Sequence, residues 1–559
     1  MCGDRLDRGA RPRPSAVGPV GLTNHSAAEH DRRRALATLA VIIAVGAALR
    51  LARLGSQSFW LDEAFSVMLA RAPWQSFVYQ LRTAEANSGF YYLLLRSWER
   101  LGANEAHVRL LSALAGIATI PLTAAVAERL FGRAVALTAA AVIALDPFDI
   151  WASQEARGYA LVILLVTCST WAFVRAVGGD ADPIVGEPVA IDSPPRRRGL
   201  WWALYVVASA LAVYTHLYAS FVVLAQWLSL AVRLRSIGWR GLVTSGVALA
   251  VLLAPMALFV MGGPHGNIDW LRGAFGPHLS DVWATIRRAL GVGGAVAACG
   301  YVAVCGALLW VGVRMTRRAT EPQTRWAYLV PVLWFVTPIA IPLAVSLTLK
   351  PVFDPRYVTI CAPAVAILAA AVTGQSRSAW RIRLLAVVVA AELFGDWAYF
   401  AGFHKEDWRE ATRSVLADSR AGDVAIFYAP YVRRPFDYYA ARATASPPSG
   451  SRSPQLIYPS SRYSDFTLDS VVPLSLGGAV DAARAAPRAW LILSHTIRAD
   501  SACVEALDAA LRPALRQLDD RRLAGGIELR LYAHAGGDAD SGRAAPAVAS
   551  TIARACPQA

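Results

Sequence analysis

The sequence alternates long apolar runs with short arginine-rich loops, and this alternation constrains the fold more than any other feature. Of the 559 residues, 55% are hydrophobic, and the mean hydropathy is +0.39. A helix that crosses a bilayer needs about 20 mostly apolar residues. Eleven segments come near this length: 35–54, 107–130, 134–151, 158–177, 200–215, 217–234, 241–261, 290–313, 326–348, 357–374 and 381–400. The chain is therefore predicted to be a polytopic α-helical membrane protein with about 11 transmembrane helices.

The arginines of the loops predict the orientation of these helices. Six basic loops, among them "DRRR", "PPRRRG" and "RMTRRATEPQTR", alternate with less basic ones along the chain. Cytoplasmic loops carry an excess of Lys and Arg, so all six are predicted to be cytoplasmic, together with the N-terminus. The opposite, extracytoplasmic face then receives 55–106, 149–159, 214–218, 262–289, 350–357 and everything from 401 onward.

The formal charge of +15 does not indicate a nucleic-acid partner. Lys350 and Lys405 are the two lysines of the chain, so nearly all the positive charge is arginine, concentrated between apolar runs. That distribution is typical of charges that set topology and not of a phosphate-binding face. The cysteines show neither a pairing pattern nor metal-ligand spacing, which predicts no structural disulfide and no zinc site.

Changes in composition divide the chain into four regions. Residues 1–34 and 536–559 are predicted to be disordered tails, the first of them cytoplasmic. Residues 35–403 form the membrane domain. In 404–535, β-branched and aromatic runs ("DVAIFYAP", "AWLILSH", "IELRLYA") alternate with helical patterns ("KEDWREATRSVLADS", "SACVEALDAALRPALRQL"). This region is predicted to be a small C-terminal extracytoplasmic α/β domain.

The first outer loop, 55–106, carries an adjacent acid pair. Its segment "FWLDEAFSVMLARAPWQSFVYQLR" predicts an amphipathic helix at the membrane interface. The segment "FYYLLLRSWERLG" predicts a second, short helix. Asp62 and Glu63 lie near the start of the first helix, and adjacent helical residues point about 100° apart. One of them can therefore face a cavity while the other pairs structurally. The alternative is an ordinary acid pair stabilised by the positive end of the helix dipole.

Two further outer loops offer arginines. Arg157 follows Glu155 where one predicted span ends and the next begins, and Tyr159 lies beside it. The guanidinium fork of an arginine matches phosphate oxygens, but an arginine at this depth also reaches lipid headgroups. Arg356 offers a second phosphate contact, with membrane anchoring again the alternative.

Three more residues complete the set of candidates. Lys350 adds a third positive charge near Arg356, and Tyr357 follows that arginine directly. His216, in the short turn "YTHLYA", is either a ligand or a structural histidine. Together the candidates place one acid and at least two arginines on one membrane face. This suits a reaction between a polyprenyl-phosphate-linked substrate and a polar acceptor, because nucleotide sugars are not expected outside the cytoplasm.

The order of the motifs resembles a known family. "FWLDEAFSV", "YYLLLRSW", "LDPFDIWASQEARGYAL", "YTHLYA" and "DPRYV" follow one another as in the bacterial branch of the dolichyl-phosphate-mannose:protein mannosyltransferase superfamily. This superfamily has the C-type glycosyltransferase fold and includes the aminoarabinose transferases of lipid A. The resemblance covers roughly residues 35–435 and includes "KEDWREATRSVLADS" after the last span. The chain departs from it at "ANSGF" (86–90), where many relatives have His-Pro-Pro.

The resemblance implies roles for the candidate residues. Asp62 is the implied catalytic carboxylate and Glu63 its supporting neighbour. Arg157, Arg356 and Lys350 are the candidates for binding the donor phosphate. The implied substrate-binding residues of the wall are Glu155, Tyr159, His216 and Tyr357.

The mechanism that follows is a transfer of a mannose-like or arabinose-like sugar to an acceptor hydroxyl of a protein, lipid or glycan. Asp62 acts as general base, the arginines stabilise the leaving phosphate, and the anomeric configuration inverts. No metal is required, although a divalent cation is compatible with the hard oxygen ligands of Asp62, Glu63 and Glu155. The alternatives are a transporter or flippase of lipid-linked saccharides, with charges deep within its spans, and a membrane-anchored sensor.

Overall fold

A bundle of long helices and a five-stranded sheet domain make up the chain. The structure is a computed structural model that describes residues 20–83, 85–178, 184–185, 195–233, 238–261, 294–349, 352–374, 378–428, 433–444, 454–457, 476–494 and 501–534. Lys350 and the predicted C-terminal tail, 536–559, lie outside these residues. The predicted boundaries between the regions remain predictions.

Each predicted apolar run falls on a helix of the structure. The helices of the bundle are α1 (Val20–Leu51), α5 (Glu105–Phe131), α6 (Arg133–Ala144), α7 (Pro147–Ser153), α8 (Tyr159–Gly178), α9 (Pro195–Thr215), α10 (Ala219–Ser229), α11 (Trp239–Met261), α12 (Gly294–Arg318), α13 (Pro322–Thr348), α14 (Ala362–Gly374) and α15 (Ser378–Gly402). Among the described residues, 7 helices are long and apolar enough to cross a membrane, and the bent pair α6–α7 gives an eighth. The remaining predicted spans fall on α9, α10 and α12. The prediction of a polytopic helical membrane protein is confirmed.

The N-terminal part of α1 corrects one prediction. The helix begins at Val20, so the expectation of disorder through residue 34 is wrong for residues 20–34. The segment "AAEHDRRRALA" consists largely of residues with good helix propensity. Arg33 also pairs with Glu29 one turn earlier, at 2.7 Å.

The bend between α6 and α7 aims a functional loop at the end of the bundle. The two helices meet at 59°, where Asp146 caps α7 by accepting from the backbone N–H of Asp149 and Pro147 occupies the first turn. Arg50 of α1 pairs with Asp149 at 2.6 Å, and both side chains are fully buried. This pair fixes α7 against α1 and thereby positions the loop 154–158 that follows.

Three short helices follow α1 at the same end of the bundle: α2 (Leu61–Arg71), α3 (Trp74–Thr83) and α4 (Gly89–Trp98). The predicted single amphipathic helix is divided into α2 and α3 at Pro73, which has no N–H to continue the helical hydrogen bonds. The second predicted short helix corresponds to α4. Because α2 begins ten residues after α1 ends, its first turn stays near the ends of the spans.

The sheet domain follows α15 and lies at this same end, which we call the domain side of the membrane. Its elements are α16 (Trp408–Asp418), β1 (Val424–Phe427), α17 (Arg433–Thr444), β2 (Gln455–Ile457), α18 (Leu476–Ala485), β3 (Arg488–Leu493), α19 (Ser501–Leu511), β4 (Leu515–Leu523) and β5 (Ile527–His534). The strand order is β2-β1-β3-β5-β4. Strands β2, β1 and β3 are parallel, and β5 is antiparallel to both β3 and β4.

Two sequence predictions for this domain are corrected. The three predicted strands correspond to β1, β3 and β5, but the predicted helix over "SACVEALDAALRPALRQL" ends at Leu511, before Pro513. The residues that follow form β4, whose side chains alternate between more and less exposed positions, as a strand at the edge of a sheet requires. Cys503 of α19 is disulfide-bonded, so the prediction of no structural disulfide is wrong.

The sheet domain and the first loop share one hydrophobic core. Phe59 and Phe65 pack in it with Trp408, Tyr438 and Trp490 of the sheet domain, and all five are buried. Burial of aromatic side chains of this size contributes about 1.5–3 kcal/mol each. The backbone N–H of Phe59 also donates to the Tyr439 hydroxyl at 2.7 Å. The start of α2, where the acid pair lies, is therefore held by both the bundle and the sheet domain.

Candidate active site

Four segments meet at the domain side of the bundle. They are the first turn of α2, the loop 154–158, the turn 216–218 between α9 and α10, and the 3-10 helix Pro355–Cys361. Asp62, Arg157, His216 and Arg356 come one from each segment. Tyr357, which follows Arg356, lies 4.4 Å from the His216 ring, and Tyr159, two residues after Arg157, lies 6.3 Å from Tyr357. The structure thus brings into one site residues that are separated by up to 294 positions.

Asp62 contacts Arg356 directly. Its Oδ2 accepts from Nη1 of Arg356 at 3.0 Å. Arg356 is also held by Asp354, whose Oδ2 accepts from Nε at 3.1 Å and from Nη2 at 2.9 Å. Asp354 caps the start of the 3-10 helix as well, by accepting from the backbone N–H of Arg356. A buried carboxylate thus orients the arginine towards Asp62.

Among the described residues, Arg157 donates to two side chains that were not among the sequence candidates. Its Nη1 donates to the Tyr92 hydroxyl at 2.7 Å, and its Nη2 donates to Oε1 of Glu85 at 3.2 Å. Burial alone lowers the pKa of Arg157, but the surrounding hydroxyl and carboxylate groups outweigh burial and raise that pKa above its ordinary value. The arginine therefore stays charged in the site.

Glu63 lies behind Asp62 and is fully buried. Arg109 of α5 binds it with a bidentate fork, through Nε at 2.8 Å and Nη2 at 2.6 Å. Lys405 donates to it at 3.0 Å, and the backbone N–H of Ala156 at 2.9 Å. Burial raises the pKa of Glu63, but the charges of Arg109 and Lys405 outweigh it, so the pKa falls to about 2. Glu63 is an ionised anchor that ties α2 to α5 and to the sheet domain.

Glu155 belongs to the same buried network. Its Oε1 lies 3.0 Å from Lys405 Nζ, and its Oε2 accepts from Trp60 Nε1 at 2.8 Å. Burial raises its pKa to about 7, because Lys405 only partly offsets the loss of water and the neighbouring charge of Glu63. The side chain is buried away from Asp62, so the structure does not place it on a surface that a substrate reaches. Its role in substrate binding stays a prediction.

Aromatic rings surround the two arginines. Tyr357 packs against His216 with ring centroids 4.4 Å apart and against Tyr218 at 4.8 Å. Tyr159 lies 6.3 Å from Tyr357 and stacks on Trp151 at 5.3 Å. The three predicted wall residues Tyr159, His216 and Tyr357 thus form one cluster beside the arginines.

Asn87 of the "ANSGF" stretch holds the turn that carries His216. Its Nδ2 lies 3.0 Å from His216 Nε2, and its Oδ1 accepts from the backbone N–H of Leu217 at 2.9 Å. The segment in which the chain departs from the His-Pro-Pro pattern therefore supports the aromatic cluster through an amide.

His216 is expected to remain neutral during the reaction. Burial, followed by the charges of Arg157 and Arg356, lowers its pKa to about 3. A group with this pKa does not change its charge between pH 5 and 9. Its titration therefore causes no rise or fall of activity in that range. His216→Asn should lower kcat by less than about tenfold and leave the shape of the profile unchanged, measured from pH 5 to 9. A limb near pH 6.5 that the variant abolishes would contradict this assignment.

Five residues of the site were not among the sequence candidates: Glu85, Tyr92, Arg109, Asp354 and Lys405. Lys405 carried a signal, because lysine is so rare in this chain. Asp354 adjoins Arg356, and Tyr92 lies in a motif that the family resemblance already included. Glu85 and Arg109 gave no signal, since an acid in a polar loop and an arginine near a span end are both common. Among the described residues, no group of three or more His, Cys, Asp or Glu side chains is arranged to hold a metal ion.

Known structures share this architecture. ArnT from Cupriavidus metallidurans in the apo state superimposes with a TM-score of 0.57 and 13% sequence identity, over 89% of this chain and 98% of that chain. The same protein bound to undecaprenyl phosphate superimposes with a TM-score of 0.55 and 13% sequence identity, over 89% of this chain and 99% of that chain. The archaeal oligosaccharyltransferase AglB from Archaeoglobus fulgidus was solved in complex with an inhibitory peptide and a dolichol-phosphate. It superimposes with a TM-score of 0.52 and 11% sequence identity, over 94% of this chain and 78% of that chain.

Sequence comparison adds nothing to these likenesses: no protein-family model matches the chain, and no curated protein sequence matches it. At 11–13% identity the structural likeness shows the fold. The predicted recognition is confirmed at that level: the chain has the C-type glycosyltransferase fold that ArnT and AglB share.

Proposed function

We propose that the chain is an integral-membrane glycosyltransferase that moves a sugar from a polyprenyl-phosphate carrier to an extracytoplasmic acceptor hydroxyl. The observation that carries the proposal is the contact between the partly exposed Asp62 and Arg356, with Arg157 in the same site, at the ends of the spans. A carboxylate beside two arginines offers a base for the acceptor and positive charge for a leaving phosphate. The aromatic cluster provides the apolar wall that a lipid-linked sugar requires.

The reaction follows from these positions. Asp62 takes the proton of the acceptor hydroxyl as its oxygen attacks the anomeric carbon. The bond between that carbon and the phosphate oxygen breaks on the opposite side, so the anomeric configuration inverts. Arg157 and Arg356 stabilise the negative charge that develops on the leaving polyprenyl phosphate. The proposal includes no required metal, and a divalent cation remains compatible with the carboxylate oxygens of Asp62.

The site is proposed to lie outside the cytoplasm. The basic loops at the opposite end of the spans favour this orientation. Sugar donors outside the cytoplasm are carried by lipids, in agreement with the undecaprenyl phosphate and the dolichol-phosphate bound by ArnT and AglB. The acceptor is a protein, a lipid or a glycan, and the sugar is mannose-like or arabinose-like.

The proposal is tested with purified protein in liposomes that contain a radiolabelled polyprenyl-phosphate sugar and cell-envelope acceptor material. We expect label to move from the lipid to the acceptor, and the transfer to fall at least about a hundredfold in Arg356→Ala, because charge stabilisation at the leaving group is lost. Asp418→Asn in the sheet domain, which removes an exposed acid, is the control and should transfer normally. Movement of labelled lipid between leaflets without transfer would contradict the enzyme and support the flippase.

A further inference from the structure

Arg157 and Arg356 are bound in the same way. Each has one buried partner and one partner that reaches solvent. Arg356 is held by Asp354, whose side chain is 1% exposed, and it also contacts Asp62, which is 25% exposed. Arg157 is held by the hydroxyl of Tyr92, which is 0% exposed, and it also contacts Glu85, which is 21% exposed.

The buried partners fix the direction of each guanidinium. Asp354 occupies Nε and Nη2 of Arg356, so Nη1 is the group that points to Asp62. Tyr92 occupies Nη1 of Arg157, and Nη2 points to Glu85. In both arginines, one Nη group therefore donates to a partly exposed carboxylate. A phosphate bound between these arginines would compete with Asp62 and Glu85 for the same Nη groups.

We propose that the donor phosphate exchanges with Asp62 and Glu85 on the two arginines, while Asp354 and Tyr92 remain bound as positioning residues. The inference rests on the proposed function and deepens it. While Oδ2 of Asp62 accepts from Arg356, that oxygen is not available to an acceptor hydroxyl, and displacement by the phosphate releases it. Donor binding then precedes deprotonation of the acceptor.

The exchange also acts at the end of the reaction. The donor is a phosphodiester with one negative charge, whereas the product carrier is a phosphomonoester whose second pKa is about 6. The product therefore carries more charge near pH 7 and binds the arginines more tightly than the donor. Return of Asp62 and Glu85 to the arginines offsets this and speeds release of the carrier phosphate.

The first test measures binding of sugar-free undecaprenyl phosphate to the purified full chain in detergent. Glu85→Gln removes an exchanging partner, and it should tighten the Kd about two- to fivefold, as expected for a partly exposed ion pair. Asp354→Asn and Tyr92→Phe remove the fixed partners, and they should weaken binding about tenfold and about fivefold. General electrostatics predicts the opposite for Asp354→Asn, because loss of a negative charge near the site would tighten phosphate binding.

The outcomes separate the exchange from the proposed function. If Arg157→Ala and Arg356→Ala weaken binding but Glu85→Gln weakens it or leaves it unchanged, the exchange is wrong and the phosphate site stands. If Asp354→Asn tightens binding to the same extent as Glu85→Gln, general electrostatics replaces the exchange. If the wild type binds no undecaprenyl phosphate, or binds it independently of both arginines, the proposed function itself fails. Thermal midpoints of all variants are measured alongside, so that loss of fold is not read as loss of binding.

Steady-state kinetics provide the second readout. Under the exchange, Glu85→Gln lowers the KM for the lipid-linked sugar and increases inhibition by added undecaprenyl phosphate, because release of the carrier is slower. Substitution of a residue with a merely structural role would lower kcat without lowering the KM or increasing product inhibition. Glu85→Asp, which keeps the charge, should restore part of the wild-type product release. A Glu85→Gln variant with unchanged product inhibition would overturn the proposal.

Discussion

Asp62→Asn should lower the rate of sugar transfer by about a hundred- to ten-thousand-fold, the range over which positioned general bases contribute. Asparagine has nearly the same shape as aspartate, and the Asp62 side chain contacts one partner, Arg356, in the described part of the site. The loss should therefore appear in kcat, with the thermal midpoint within about 2 °C of wild type. Asparagine does not compete for Arg356 as a carboxylate does, so undecaprenyl phosphate should bind as tightly as to wild type or more tightly.

This combination of results separates Asp62 from its neighbour. Glu63→Gln removes one charge of a buried, bidentate ion pair, so it should lower the thermal midpoint and the yield of folded protein before it affects chemistry. Asp62→Glu keeps a carboxylate, displaced by one methylene, and should retain measurable activity. The assignment of the base is wrong if Asp62→Asn transfers sugar at the wild-type rate while folding normally. It is also wrong if Glu63→Gln folds normally but loses activity to the same extent.

The sequence predicted the parts of this protein that local patterns determine. A membrane-length apolar run is visible without knowledge of its neighbours, and so the predicted spans fall on helices. The same reasoning selected Asp62, Arg157 and Arg356 one at a time, because each is a polar residue at the edge of a span. Their convergence from three segments follows from the packing of the bundle.

Other features depend on contacts that local patterns do not contain. The pairing of Glu63 with Lys405 joins residues 342 positions apart, and nothing near either of them indicates the other. Glu85 resembles a solvated loop acid until its contact with Arg157 is seen. Strand β4 was missed because "LRQLDDRRL" is charged and continues a helical pattern, whereas its pairing with β5 determines its conformation.

Loss of Lys405 should strongly destabilise the fold. Its ammonium group lies 3.0 Å from both Glu63 and Glu155, and all three side chains are buried. Removing one partner of a buried ion pair typically costs about 3–5 kcal/mol, because the remaining charge is left without compensation. Lys405→Met should therefore lower the free energy of unfolding by about that amount, measured by denaturant unfolding in detergent micelles. The matched control is Arg133→Met, at the exposed pair with Glu128, which should cost less than about 1 kcal/mol.

A second substitution identifies the source of the cost. Glu63 keeps Arg109 when Lys405 is lost, but Glu155 loses its only charged partner among the described residues. The double variant Lys405→Met/Glu155→Gln should therefore recover much of the lost stability. The wild-type pKa of Glu155 is about 7, so the penalty of Lys405→Met should grow as the pH rises through 7 and Glu155 ionises in the wild type. Loss of charge compensation predicts that the stability lost in Lys405→Met depends on pH and is partly recovered by Glu155→Gln. If that loss of stability shows neither effect, Lys405 stabilises the protein by packing.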